Sequence, residues 1–251
     1  MGKLDGRVAL VTGAASGIGR CMATAFAEEG CAGITVVDLN EDGAKATAAT
    51  CEKAGAKALV VGADVTSEDD WTRVVDETKA AFGGRIDICC NNAGIATSSP
   101  VKDMSLELWQ QMIDVDLTSV FLGCRAVLPT MLEQDYGRII NTGSQLGLRG
   151  APTAAHYCAA KGGVHALTKS LAYEVAETGI RVNALAPGPT QTEMLSDLPD
   201  SMTEAIRQEV PMKRFARIEE IVPTVVLLAS EDGGGYYHGA VMNVSGGHVT
   251  W

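Results

Sequence analysis

VALVTGAASGIG, residues 8–19, decides the fold. A short apolar run leads directly into a glycine-rich turn that opens a segment with helical spacing, so a strand, a turn and a helix are predicted in succession. The glycines let backbone amides approach a diphosphate at the positive end of the helix. An ordinary glycine-containing turn is the alternative, because short glycine motifs recur by chance, but the position directly after a strand argues against it. The stretch therefore predicts a dinucleotide site. Its residues are Gly13, Ser16, Gly17, Ile18 and Gly19.

The rest of the chain repeats this alternation of short apolar runs and longer helical segments. Strands are predicted at residues 8–12, 34–38, 58–61, 86–90, 138–142, 181–186 and 240–244. Helices are predicted at residues 17–29, 43–54, 68–82, 106–132 and 155–177. This alternation predicts one Rossmann-type, doubly wound α/β domain over residues 1–251, with a seven-stranded parallel sheet and helices on both faces. The irregular stretch at about 187–211 follows the sixth strand, where such sheets carry loops and helices that cover a substrate.

Composition and charge restrict the class of function. The formal net charge of −11 at pH 7 disfavours nucleic acid and anionic membranes as partners, because both are polyanions that need clustered Lys and Arg. The apolar run at the N-terminus is too short for a signal peptide, and no run approaches the roughly 18 apolar residues of a membrane span, so a cytoplasmic protein is expected. The seven cysteines form no CxxC pair and the four histidines lack metal-ligand spacing. We therefore expect reduced cysteines and no metal site.

Asp38 ends the second predicted strand, nineteen residues after Gly19. A carboxylate at this place accepts the hydroxyls of an adenosine ribose and repels a 2′-phosphate. Neither the glycine turn nor Leu39, the next residue, supplies the Arg or Lys that a 2′-phosphate would need. A solvated acid at a strand end is the alternative. The sequence therefore favours NAD over NADP, with Asp38 and Leu39 at the adenosine.

Tyr157 and Lys161 lie four residues apart on a predicted helix and so share one face. That spacing alone is weak, but Ser144 follows the fifth strand, at the sheet edge where the reactive end of a bound dinucleotide should lie. Oxidation of an alcohol needs a base for the hydroxyl proton. A nearby ammonium favours the phenolate form of tyrosine, and a serine hydroxyl can hold the same oxygen. The three residues predict hydride transfer between a nicotinamide and an alcohol or ketone carbon. The alternative is that they have no catalytic role: a half-buried tyrosine whose hydroxyl is capped by the serine, and a lysine at the surface.

With its further motifs, the sequence resembles the short-chain dehydrogenase/reductase family in the TGxxxGxG subgroup. The resemblance runs from Gly6 to Gly247 and includes Asp64-Val65, Asn91-Asn92-Ala93-Gly94, Arg181-Val182-Asn183, Pro187-Gly188 and Asn243-Val244-Ser245-Gly246-Gly247. It implies that Ser144, Tyr157 and Lys161 are catalytic, that the last two also contact the cofactor, and that the chain forms a homotetramer. The other cofactor contacts that it implies are Asp64 and Val65 at the adenine, Asn91, Ala93 and Gly94 beside the cofactor, and Pro187, Gly188, Thr190 and Thr192 over the nicotinamide.

Asp116 departs from the family pattern, which usually has Asn in the helix after the NNAG strand. We carry it over as a fourth catalytic residue. An acid there could orient a water that links Lys161 to solvent, and its charge would alter the proton affinity of Lys161 and hence of Tyr157.

The predicted substrate is a small polar alcohol or ketone with a second oxygen, such as a diol, hydroxyketone, sugar or polyol. Gln145 follows Ser144, and its amide can both donate to and accept from a hydroxyl beside the reacting carbon. His156, just before Tyr157, is a second candidate contact. The alternative for Gln145 is that it faces solvent or holds its own loop.

Two other functions stay open. A 3-oxoacyl-ACP reductase would need basic residues to capture its acidic carrier protein, but the stretches where the resemblance places them hold acids. These acids are Glu133, Asp135, Glu174 and Glu177. The other alternative is a non-catalytic NAD-binding protein on the same fold, against which the spacing of Ser144, Tyr157 and Lys161 argues.

Overall fold

The computed structural model describes residues 2–196 and 200–250. Within them the strands are β1 Val8–Thr12, β2 Gly33–Asp38, β3 Lys57–Gly62, β4 Ile88–Asn91, β5 Gly137–Thr142, β6 Ile180–Pro187 and β7 Val241–Val244. They form one sheet in the order β3-β2-β1-β4-β5-β6-β7, and every neighbouring pair is parallel. The chain thus moves outward from β1 in both directions, and the predicted seven-stranded, doubly wound sheet is confirmed.

Helices cover both faces of this sheet. They are α1 Gly17–Glu28, α2 Glu41–Lys53, α3 Glu68–Ala81, α4 Leu106–Ile113, α5 Ser119–Gln134, α6 Ala155–Glu174, α7 Glu193–Ser196, α8 Asp200–Glu209, α9 Val222–Ala229 and α10 Glu231–Gly234. Successive strand residues point to opposite faces. Ala9 and Val11 therefore share one apolar cluster with α1, α2 and α9, whereas Leu10 lies in a second cluster with α3, α5 and α6.

The helix predicted at residues 106–132 is not a regular α-helix throughout. A π turn, Asp114–Thr118, joins α4 to α5, and such turns are frequent at functional sites. The apolar spacing of the sequence gives no sign of it. The continuous stretch Leu106–Gln134 is long and apolar enough to cross a membrane, but half of its most apolar window is buried inside the protein, as in a core helix. The π turn places Asp116 in the interior.

The sequence patterns do not predict α9. Its residues, VPTVVLLA, are almost entirely apolar, so they lack the alternation of polar and apolar faces that reveals an amphipathic helix. In the structure α9 packs against α1 and β5. The helix was missed because neighbouring elements enclose it on most sides.

Candidate active site

The glycine turn after β1 depends on the absence of side chains. Gly13 and Gly17 have φ angles of 64° and 53°, in the left-handed region that favours glycine. A Cβ on Gly19 would lie 2.2 Å from the Gly13 carbonyl oxygen. Ser16 is the N-cap of α1, yet its side chain makes no capping hydrogen bond, which leaves the first amides of the helix available to an anion. Ile18 is half-buried against the core beneath the turn.

Hydrogen bonds to Thr12 hold the segment after β4 against this turn. Its hydroxyl accepts hydrogen bonds from the backbone amides of Asn92, at 2.9 Å, and Ala93, at 3.0 Å. A Cβ on Gly13 would lie 2.8 Å from the Cα of Ala93. The two backbones are therefore in close contact, and together they form one surface at the carboxyl edge of the sheet.

Asn91 ends β4, but its side chain faces the protein interior. Its Nδ2 donates to Asn141 Oδ1 at 2.9 Å, and Cys124 Sγ lies 3.5 Å from the same nitrogen. The amide group is thus taken up by the core. Only the Asn91 backbone remains for the cofactor contact that the family resemblance implies.

Asp38 ends β2 beside the glycine turn. Its Oδ2 accepts a hydrogen bond of 2.8 Å from the Ala15 amide, which fixes the carboxylate across from the turn. Arg20 also contacts this region, but its guanidinium donates to the Ala15 carbonyl and to Thr47. Leu39 is 74% exposed, so its apolar surface is available to a planar ring. This arrangement fits an adenosine ribose at the carboxylate.

Asp64 and Val65 follow β3. The Asp64 carboxylate accepts hydrogen bonds from the amide and hydroxyl of Thr66 at 2.9 and 2.7 Å, and the Val65 carbonyl accepts from Trp71 Nε1 at 2.9 Å. Both residues line a small hollow with Val37. Their backbones are therefore held in place at the β3 end of the same sheet edge.

The segment after β6 returns over the glycine turn. Gly188 packs closely on the C-terminal loop, because a Cβ there would lie 2.6 Å from Ser245 Cα. Thr190 donates to the Gly188 carbonyl at 3.0 Å. Thr192 Cγ2 would lie 3.8 Å from a Cβ on Gly17. With Pro187 as the end of β6, these residues cover the turn, and the whole edge fits an extended dinucleotide. Residues 197–199 of the predicted covering stretch, 187–211, lie outside the described residues.

Ser144, Tyr157 and Lys161 meet at this edge from two elements. Ser144 directly follows Gly143 after the end of β5, and its side chain is close enough to Tyr157 to lower the pKa of that phenol. Lys161 lies one helical turn beyond Tyr157 on α6, with Nζ 5.6 Å from the centre of the phenol ring. Nζ also donates to the Thr142 carbonyl at 3.0 Å. The phenol thus has both a serine side chain and a buried ammonium near it, as an acid/base group requires.

Asp116 pairs with Lys161 directly. Its Oδ2 lies 3.0 Å from Lys161 Nζ, and both side chains are almost fully buried. Its Oδ1 accepts a hydrogen bond of 2.8 Å from the Ile95 amide. A Cβ on Gly94 would lie 2.9 Å from the Asp116 carboxylate and 3.4 Å from Lys161 Nζ, so only glycine leaves room for the pair. Asp116 therefore contacts Lys161 as a direct ion pair, and the predicted role in orienting a water stays a prediction.

This ion pair sets the proton affinities of the site. Burial lowers the pKa of Lys161, but the charge of Asp116 and that of Tyr157 outweigh it, so the pKa lies above its usual value. Burial has the largest effect on the pKa of Tyr157 and raises it. Lys161 and Ser144 lower this pKa, whereas the charge of Asp116 raises it further. The net result is a pKa above the usual value. Lys161 is therefore a stable cation, and Asp116 partly cancels its effect on the phenol.

Gln145 and His156 are both buried, at 4% and 0% exposure. Gln145 Nε2 lies 2.9 Å from His248 Nδ1, so Gln145 does not face solvent. His156 Nε2 lies 2.7 Å from Thr97 Oγ1, which ties the start of α6 to the loop after β4. Neither His248 nor Thr97 was predicted, because each contact joins distant parts of the chain and leaves no local pattern in the sequence. The described residues contain no group of three side chains suited to a metal ion.

Comparison with known proteins agrees with this site. A family model described as enoyl-(acyl carrier protein) reductase matches residues 13–249. The chain is 40% identical over 251 residues to a 3-oxoacyl-[acyl-carrier-protein] reductase of Synechocystis sp., covering 100% of both chains. It is 38% identical over 252 residues to a cyclopentanol dehydrogenase of Comamonas sp., again covering 100% of both. The crystal structure of levodione reductase matches with a TM-score of 0.92 and 35% identity, over 97% of this chain and 98% of that one. The chain therefore belongs to the short-chain dehydrogenase/reductase family, whose members are nicotinamide-dependent, and is an oxidoreductase of CH–OH groups.

Proposed function

We propose that the protein is an NAD-dependent dehydrogenase that interconverts a small polar secondary alcohol and its ketone. One observation carries this proposal: Ser144 and Lys161 both act on the Tyr157 phenol at the carboxyl edge of the sheet, where each lowers its pKa. A non-catalytic NAD-binding protein would have no physical need for this arrangement.

Tyr157 is the acid and base in the proposed reaction. Its phenolate takes the hydroxyl proton during oxidation, and its phenol returns a proton during reduction. Lys161, held as a cation by Asp116, stabilises the phenolate, and Ser144 orients the reacting oxygen. A bound nicotinamide dinucleotide supplies the hydride acceptor or donor.

The choice of NAD over NADP rests on Asp38. Its carboxylate is held by the Ala15 amide, where it can accept the ribose hydroxyls and where a 2′-phosphate would meet a negative charge. Arg20 is already engaged with the Ala15 carbonyl and Thr47. The glycine turn would bind the diphosphate through backbone amides.

The preference for a second oxygen rests on Gln145. Its Oε1 is buried and has no hydrogen-bond partner among the described residues, and leaving a buried acceptor unpaired costs about 1–3 kcal/mol. A substrate hydroxyl would satisfy it. The name of the Comamonas relative points instead to a simple ring alcohol, so the two substrate types can be compared on one ring.

A matched pair of ring alcohols tests the proposal. NADH formation is followed with NAD and either cyclopentanol or cyclopentane-1,2-diol, and the same reactions are repeated with NADP. We expect NAD-linked turnover, with kcat/KM for the diol about tenfold higher, because one added hydrogen bond to the unpaired Gln145 acceptor stabilises by about 1.4 kcal/mol. Equal values for the two alcohols would contradict the polar substrate. Absence of turnover across a wide alcohol panel would favour the non-catalytic alternative.

Reduction of a 3-oxoacyl carrier-protein thioester is the second candidate, favoured by the Synechocystis relative. Surface charge argues against it. Asp135 accepts a hydrogen bond from the Gly179 amide at 2.8 Å, which joins the end of α5 to the turn that follows α6, and acids are exposed near both helix ends. These exposed acids are Glu133, Asp135, Glu174 and Glu177. An acidic carrier protein would be repelled there, and steady-state assay with a 3-oxoacyl thioester on and off its carrier tests this.

The cellular setting is also proposed from the sequence. The family resemblance and the cysteines, all seven of which are free, lead us to propose a cytoplasmic homotetramer that acts on a free small molecule. Light scattering of the purified protein tests the assembly, with a mass of four chains expected and a monomer mass contradicting it.

A further inference from the structure

We infer that His248 is a positioning residue that orients Gln145 as an acceptor for a hydroxyl of the substrate. The inference rests on the proposed polar substrate and adds the residue that would create that preference. It starts from a hydrogen-bond chain that joins three separate segments beside Ser144.

His248 lies in the C-terminal loop after β7, with 6% of its side chain exposed. Its Nδ1 is 2.9 Å from Gln145 Nε2, and its Nε2 is 3.2 Å from Glu209 Oε2. Arg149 Nη2 lies 3.2 Å from the same Glu209 oxygen. The chain therefore connects the turn after β5, the end of α8 and the C-terminal loop.

The chemistry of the chain fixes the direction of each bond. The Glu209 carboxylate can only accept, so Nε2 of His248 carries a proton and donates to it. In the neutral ring, Nδ1 is then an acceptor. Gln145 must therefore turn its NH2 group toward His248, which leaves Oε1 as the free end of the amide.

The orientation of the amide selects the substrate. Gln145 Oε1 is buried and has no partner within residues 2–196 and 200–250, so a donor on the substrate would relieve the cost of an unpaired acceptor. A second hydroxyl on the substrate donates a hydrogen bond, whereas a second carbonyl does not. With His248 in place, the site therefore favours diols and hydroxyketones over simple alcohols and diketones.

Kinetic comparison of five variants tests this role. His248→Ala removes the acceptor that orients Gln145, and His248→Asn restores one, since its Oδ1 can accept from the Gln145 amide. Gln145→Ala, alone and combined with His248→Ala, tests whether the histidine acts through the glutamine. Glu204→Ala is the matched control, because it breaks an exposed ion pair with Arg207 on the same helix α8. Each variant is assayed with cyclopentanol and cyclopentane-1,2-diol, alongside NADH affinity and thermal unfolding.

We expect His248→Ala to raise KM for the diol about tenfold, the value of one hydrogen bond, with kcat changed less than about threefold. His248→Ala should change KM for cyclopentanol and the affinity for NADH little, and the control variant Glu204→Ala should leave the kinetic constants for both alcohols nearly unchanged. His248→Asn should restore most of the wild-type KM for the diol. In the Gln145→Ala background, His248→Ala should add nothing.

Two failures are distinguishable. If the wild type prefers the diol and His248→Ala keeps that preference, the inference is overturned while the proposed function stands. If the wild type shows no diol preference, the polar substrate and the role of His248 fall together.

Discussion

The charge of Asp116 should set the pH range in which the enzyme oxidises alcohols. Asp116→Asn removes that charge and keeps a side chain of the same shape. Because Asp116 raises the pKa values of both Tyr157 and Lys161, its loss should lower both. The pH profile of kcat/KM should have one limb that reports the deprotonation of Tyr157 and another that reports that of Lys161. Both limbs should therefore move to lower pH.

The size of the shift follows from the geometry. Asp116 Oδ2 lies 3.0 Å from Lys161 Nζ, and Nζ lies 5.6 Å from the centre of the Tyr157 ring. The negative charge is thus within about 9 Å of the ring, where an effective dielectric constant of about 20 gives an interaction of about 2 kcal/mol. We therefore expect the limb that reports Tyr157 to move down by about one pH unit.

The assay is kcat/KM for NAD-linked oxidation across neutral and alkaline pH. Asp114→Asn is the matched control, because it removes the same charge from the same π turn while its carboxylate contacts Gln110. Thermal unfolding is measured in parallel, since Lys161 would be left buried without its counter-charge. An unchanged profile, or a shift to higher pH, in a folded Asp116→Asn protein would refute this electrostatic reasoning.

Three further substitutions have expected outcomes. Asp38→Ala should lower the ratio of kcat/KM with NAD to kcat/KM with NADP, because the negative charge facing a 2′-phosphate is removed. An unchanged ratio would contradict the role of Asp38. Tyr157→Phe should remove nearly all turnover and leave NADH affinity, followed by fluorescence titration, largely intact, since only the acid/base oxygen is lost. Gly94→Ala should lower both turnover and the unfolding midpoint, because its Cβ would lie 2.9 Å from the Asp116 carboxylate. Gly150→Ala, which has no heavy atom within 4 Å of its Cβ, should change neither, and equal effects of the two glycine variants would argue against the close contact.

Motifs that act over a few residues were predictable down to the residue. The glycines of the turn carry their own conformational signal, since positive φ angles at Gly13 and Gly17 exclude most other residues. Tyr157 and Lys161 share a helical face whatever surrounds them. Strand ends were less certain: the fourth strand, predicted at 86–90, begins and ends later, at Ile88–Asn91, because the start and end of pairing depend on the neighbouring strands.

The sequence by itself determined the order of the seven strands and of the five helices between the first six of them, the parallel sheet and the local motifs of the site. Those features depend on hydrophobic period, glycine placement and short spacings, which act between near neighbours in the chain. Only the tertiary structure decided which buried polar groups are partners. Asp116 meets Lys161 across two helical segments, and Gln145 meets His248 from the other end of the chain. A buried charge or amide takes whatever partner packing brings within about 3 Å, and that distance is set by the whole fold.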